Sequence, residues 1–203
     1  RIMPLWEVVA YSIAALASSA ATLGAVWLRH KLSMNTKCDA IEKEAKHNEN
    51  VYTALHYTME EMGGDRAYVM EFHNGIHYFS GRSQQKFSCS YEIVEEGISS
   101  EAQNSQDHKV SNYHKYIKEL VDNEKFAYEN INSLEDHIFS NLLKHKGVKG
   151  IYNVPIKTLN GKIIGILGVD YVRPITEGFM KKSEEDPQRF MKRQARVIAG
   201  YLL

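Results

Sequence analysis

Residues 147–172, GVKGIYNVPIKTLNGKIIGILGVDYV, decide the architecture of this chain. Two apolar runs of strand length, 150–157 and 162–172, flank Thr158 to Gly161, and Asn160-Gly161 is the dipeptide that favours the positive backbone angles of a tight hairpin turn. Immediately upstream, Asp136 is placed to cap a helix running to Lys146, which Gly147 ends. Downstream, Pro187 stands at a favoured helix start, and Phe190, Val197, Ile198, Tyr201 and Leu202 predict one apolar helical face over 187–203. Further out, 126–131 reads as a short strand. Ser111 reads as the N-cap of a helix to Asp122, with Tyr113, Tyr116, Ile117, Leu120 and Val121 on its inner face. Residues 86–94 and 66–73 alternate as strands, and Asn74-Gly75 after the latter predicts a turn. The order helix, strand, strand, helix, strand, helix, strand, strand, helix implies an α+β domain, a mostly antiparallel sheet flanked by helices.

The first thirty residues are of a different composition. Between Pro4 and Arg29 the only charge is Glu7, and some twenty apolar or small residues match the hydrocarbon thickness of a bilayer. Trp6 and Trp27 bracket this stretch, about 31 Å apart on a helix, where indoles settle at the two headgroup levels. Arg29, His30 and Lys31 follow at once, so the stretch reads as a retained transmembrane helix and not as a cleaved secretory signal. The same cations place the C-terminal domain in the cytoplasm; the sequence starts at Arg1, and residues upstream of it would alter that flank count. Ala10, Ala14, Ala17, Ala21 and Ala25 recur at close helical spacing beside Ser12, Ser19 and Thr22. Small residues let helices approach in lipid, which predicts a homo-oligomer and, in the boldest form, a pore. Residues 35–62 lack proline and glycine and carry Ile41, Ala45, Val51, Leu55, Met59 and Met62 as an apolar stripe, which predicts continued helix. The chain thus divides into a transmembrane helix with flanks (1–31), a helical stalk (32–50) and a domain (51–203).

Composition excludes several functions. With 25 basic and 25 acidic residues in 203, the chain lacks the cationic excess of a nucleic-acid binder. Cys38 and Cys89 belong to no metal pattern and read as reduced thiols, in keeping with a cytosol-facing domain. His73 and His77 have a metal-ligand spacing only on a helix, and Gly75 argues against one there, so no metal is expected. No phosphate loop, nucleophile elbow or zinc-protease motif is present, and the pairs Glu60-Glu61 and Glu95-Glu96 fall at element ends. The chain is not expected to be an enzyme.

The run 147–172 resembles the C-terminal half of a GAF domain: a short helix ending in Gly-Val, a strand ending in Val-Pro-Ile, a hairpin, then Ile-Ile-Gly-Ile-Leu-Gly-Val and a closing helix. The resemblance extends in element order over about 51–203 and is specific over 139–172. It implies a GAF-like antiparallel sheet that binds a small molecule between sheet and helices, or that only dimerises. His73, Asn74, Tyr78, Tyr91 and Asp170 are then the ligand-binding candidates, the first three also readable as a turn with packing aromatics. Asn123, Lys125, Phe126 and Glu129 have the wrong spacing for the family's cyclic-nucleotide signature, and Cys89 is not placed for bilin attachment, so no cofactor is identified. Two functions follow, a membrane-tethered ligand sensor and an assembly module or oligomeric pore. With no effector sequence after Leu203, assembly is expected to weigh as much as sensing.

Overall fold

A computed structural model of the chain describes residues 4–176, 178–180 and 185–203, and within the first helix all side chains except those of Val8, Ala10, Tyr11 and residues 33–40. The expectations resting on Arg1 and on the Ala10 and Cys38 side chains lie outside the described residues. Contacts divide the chain into two compact units, Arg1–Lys46 and His47–Leu203. Helix α1, Leu5–Met62, contributes to both.

In the first unit, Leu5–Leu32 is long and apolar enough to cross a membrane, with a mean hydropathy of 1.6 in its most apolar window. Trp6 and Trp27 are exposed, as are Ser12, Ala14, Ala17, Ser19 and Ala21. Lys31 sits 5.0 Å above the Trp27 ring. Ser18 and Ser19 donate to the Ala15 carbonyl at 2.9 and 2.8 Å, and Thr22 donates to that of Ser18 at 2.8 Å. These hydroxyls are therefore satisfied by their own helix.

The second unit is built on six antiparallel strands in the order β3-β2-β1-β6-β5-β4. They are β1 (Arg66–His77), β2 (Ser83–Val94), β3 (His108–Lys109), β4 (Phe126–Tyr128), β5 (Gly150–Lys157) and β6 (Ile163–Tyr171). Helices α2 (His114–Asn123), α3 (His137–His145) and α4 (Pro187–Leu202) complete the unit. The expected hairpin forms at Thr158–Gly161, where the Thr158 N–H reaches the Lys162 carbonyl at 2.9 Å. Pro155 is tolerated within β5 because the β4 ladder stops at Asn153, so no strand on that side needs its missing N–H.

Alternation along the strands separates two cores. Ala67, Val69, Val154, Leu167 and Val169 pack against Val51, Leu55, Met59 and Met62 of α1 and against Phe190, Met191 and Ile198 of α4. The opposite face of the sheet packs Phe87, Ile151 and Ile166 against Tyr116 and Leu120 of α2 and Phe139 and Leu143 of α3. Asp136 caps α3 as expected, its carboxylate accepting from the N–H groups of Ile138 and Phe139 at 3.1 and 3.2 Å.

Three local expectations are corrected. Asn74-Gly75 is not a turn: β1 continues to His77 through an irregular register, and the hairpin closes at Tyr78–Arg82, where Gly81 takes φ +78°. Ser111 is not an N-cap, because it lies in a 3-10 turn, Val110–Tyr113, and α2 begins at His114 without a side-chain cap. Pairing of β3 with β2 keeps His108 and Lys109 extended, so the chain must turn tightly before the helix starts. Val121 and Val197 are exposed, since Tyr116 with Leu120, and Phe190 with Gln194 and Ile198, define faces at four-residue spacing that leave them outside.

Candidate functional site

The face of the sheet under α2 and α3 carries the unit's buried polar cluster. Arg66 pairs with Asp170 and Tyr68 with Gly168 across β1 and β6, so alternation points Arg66, Tyr68 and Asp170 to the same side. Tyr68 needs Gly168 opposite it: a Cβ there would lie 2.2 Å from the tyrosine ring and 2.5 Å from the Asn153 side-chain oxygen. A glycine inside a strand marks this kind of close approach.

All four side chains are nearly inaccessible. Arg66 is 1 % exposed, Asn153 1 %, Asp170 4 % and Tyr68 6 %. The Arg66 guanidinium lies 3.4 Å from Asp170 Oδ2 and donates at 2.6 Å to the Lys146 carbonyl just beyond α3. The Tyr68 hydroxyl is 3.0 Å from both Asp170 Oδ1 and Asn153 Oδ1, and Asn153 Nδ2 donates to the Tyr116 hydroxyl at 2.7 Å. Burial pushes the Asp170 carboxyl up to about 6, against the opposing pull of Arg66 and the Tyr68 hydroxyl.

One hydroxyl hydrogen cannot serve two acceptors. With Asp170 ionised, Tyr68 donates to it and its contact with the Asn153 oxygen carries no proton. With Asp170 protonated, the acid donates to the Tyr68 oxygen, Tyr68 donates to Asn153, and Asn153 donates to Tyr116. The proton on Asp170 therefore sets the direction of the Tyr68–Asp170 hydrogen bond and whether Tyr68 donates to Asn153.

A loop forms the other wall. The Glu92 carboxylate accepts from the N–H groups of Glu101 and Ala102, and the Ser105 carbonyl accepts from the Cys89 N–H at 2.8 Å. This holds Ser105 where Lys146 donates to its hydroxyl. Burial pulls the Lys146 ammonium below its ordinary range. His108 follows, its ring 5.4 Å from those of Phe87 and Tyr113, with Nε2 buried and lacking a hydrogen-bond partner, as does Arg66 Nε. Tyr116 stacks on Phe139 at 4.1 Å. Tyr68, Phe87, His108, Tyr116, Lys146 and Asp170 are among the residues around a cavity of about 30 Å³, room for about two water molecules. His108, whose Nε2 lacks a partner, is among the residues that line it.

A larger cleft of about 280 Å³ lies by Glu60, Glu61, Asp65, Arg173 and Ile175. Its central carboxylate, Asp65, is already satisfied by the Arg173 side chain and by the N–H groups of Val172 and Arg173 at 2.7 and 2.9 Å. These contacts fasten the end of β6 to the residues after α1.

Of the ligand-binding candidates from sequence, the cavity contains only Asp170. Tyr91 lies on the other face, its hydroxyl donating to Asn48 at 2.6 Å and its ring edge-on to Tyr52. His73, Asn74 and Tyr78 lie out along the β1–β2 hairpin. There His73 Nε2 is 2.8 Å from Ser88 Oγ, Asn74 accepts from Gln85, and Tyr78 meets Gln84 and Arg82. Sequence reading missed Arg66, Tyr68, His108, Tyr116, Lys146 and Asn153. The signal available for Tyr68 was Gly168 within an apolar strand. Among the described residues no His, Cys, Asp or Glu group is arranged to hold a metal ion. The Cys89 thiol is pushed up to about 12, chiefly by burial.

No family model and no curated protein matches the sequence. Solved structures do match in fold. The GAF domain of PixJ from Thermosynechococcus elongatus, in its blue-light absorbing form, is 15% identical with a TM-score of 0.57, covering 79% of this chain and 86% of its own. A GAF domain region from Geobacter sulfurreducens PCA, in a protein provisionally named a membrane protein, is 13% identical with a TM-score of 0.57, covering 81% and 97%. At such identities the likeness is one of fold, and that fold is the GAF type.

Proposed function

We propose that this chain is a single-pass, membrane-tethered sensor whose GAF-like domain lies in the cytoplasm and binds a small polar molecule between its sheet and α2–α3, without catalysing a reaction. The observation that carries this reading is the buried cluster of Arg66, Tyr68, Asn153 and Asp170 beside a cavity bordered by the unpartnered His108 Nε2. Burying so many polar groups costs stability unless each is satisfied, and a ligand supplies the missing partners. Ligand entry would move Lys146 and the 100–108 loop and, through Arg66, the junction of β1 with α1.

Self-association of the apolar helix through Ser12, Ala14, Ala17, Ser19 and Ala21 belongs to the same proposal, as the step by which occupancy is reported. The hydroxyls of Ser18, Ser19 and Thr22 are satisfied within the helix, which suits contact with lipid or a neighbouring helix and requires no water-filled channel.

The test is thermal denaturation of the full chain in detergent, with and without a protein-free small-molecule extract of its source cells. The wild type is expected to melt higher with extract, and Leu142→Trp, which fills the cavity from its rim, to show no such gain. A wild type indifferent to the extract, or an equal gain in the variant, would count against the site.

A further inference from the structure

The β1–β2 hairpin runs on beyond its pairing with β6. Ladder contacts of β1 with β6 end at Glu71–Gly165, while β1 continues to His77 and turns at Tyr78–Arg82. Six further residues at about 3.3 Å each carry β1 some 20 Å beyond that last pair. At that tip Phe79 is fully exposed and Ile76 is 62 % exposed. Arg82 lies over the Tyr78 ring at 5.2 Å, an arrangement that presents the guanidinium beside the apolar tip.

The charge of this prong is one-sided. Residues 72–87, FHNGIHYFSGRSQQKF, contain no acidic residue, two fixed cations in Arg82 and Lys86, and two of the chain's nine histidines, His73 and His77, whereas acidic residues number 25 in 203 overall. Lys86 is balanced by Asp107, which leaves Arg82 as the fixed charge nearest Phe79. An apolar tip with a cationic collar is the chemistry that suits an anionic bilayer surface: aromatics settle at the headgroup level, and an acidic leaflet attracts the nearby cations.

Chain connectivity makes such a surface available. Fourteen residues, 33–46, separate Leu32, the end of the apolar span, from His47, where the globular unit begins. Even fully extended they cover at most about 50 Å, comparable to the diameter of a domain this size, so docking is intramolecular and needs little intrinsic affinity.

We propose that the Ile76–Arg82 hairpin tip docks into the anionic leaflet of the membrane that holds the chain's own apolar helix. This rests on the membrane-tethered reading above and is independent of ligand binding. The test uses the full chain with Trp6→Phe and Trp27→Phe, which leaves no tryptophan, and Phe79→Trp as the single reporter. It is reconstituted into vesicles of phosphatidylcholine, with or without phosphatidylserine, carrying bromine on the acyl chains. Flotation establishes insertion. The expected result is blue-shifted, strongly quenched emission in the anionic vesicles, weaker quenching in the neutral ones and loss of the difference with Arg82→Glu. Ile76→Trp should behave alike. A chain that floats with the vesicles while its Phe79→Trp emission stays unquenched overturns the docking and leaves the span standing. Equal quenching in both lipids overturns the electrostatic part, and a chain that does not float overturns the tethered reading and the docking with it.

Discussion

Replacing Asp170 by Asn removes a buried charge while keeping the side chain's size and its ability to accept from Arg66 and donate to Tyr68. Intuition from the Arg66 pair, 3.4 Å away, says the loss should be severe, since stripping one partner from a buried ion pair costs about 3–5 kcal/mol. The raised carboxyl says the reverse. Its folded value, about 6, lies above the ordinary 3.8, so the native state holds more protons than the unfolded chain between roughly pH 4 and 6. Stability then falls as pH rises through that window and levels off above it. The difference in pKa corresponds to about 3 kcal/mol, the net penalty of ionising Asp170 in place even with Arg66 beside it. Asp170→Asn is therefore expected to match the wild type near pH 4 and to exceed it by up to about 3 kcal/mol at pH 7.5. Urea denaturation of the full chain in detergent, followed by far-UV circular dichroism from pH 4 to 8, measures the gap; working with the difference cancels the other carboxylates. A variant less stable than wild type at pH 7.5, with a deficit that grows with pH, would instead make the ion pair the stronger effect.

Other outcomes follow from the same structure. Gly168→Ala drives a methyl into the Tyr68 ring and should lower stability by on the order of 3 kcal/mol, read as a shift in the denaturation midpoint. Glu124, held at about 2 by Lys157 and Lys192, contributes stability that is present above its ordinary 4.5 and lost as pH falls towards 2. Because it is largely solvated, Glu124→Gln should cost under about 1 kcal/mol at pH 7 and abolish that part of the acid dependence. In a Cys38→Ser chain, Cys89 should resist a thiol reagent at pH 8 until the domain is unfolded, as its burial and raised pKa require.

Much of the fold was legible because its signals are local. Asn160-Gly161 needs only its own backbone preference to mark the β5–β6 hairpin, and Asp136 needs only two following N–H groups to start α3. Asn74-Gly75 carries the same turn signal, yet cross-strand pairing with β2 keeps it extended and moves the turn on to Gly81. The site was less legible for a related reason. Asp170 is legible from sequence as a ligand-binding candidate, but its burial and its pairing with Arg66, 104 residues away in sequence, are products of the tertiary fold. Lys146, Ser105 and His108 come together only when a loop closes over β2, and nothing in their own neighbourhoods announces it. Tyr91 was a reasonable candidate by residue type, but the irregular register between Val69 and Met70 places it towards α1.

Sensing by this domain requires that the Asp170 cluster hold a ligand. Native mass spectrometry of the full chain, purified in mild detergent from its source cells, addresses this directly. The expected result is a small-molecule adduct of one defined mass bound once per chain, absent from Leu142→Trp. A wild-type chain that carries no adduct, or an adduct that Leu142→Trp retains undiminished, would contradict it.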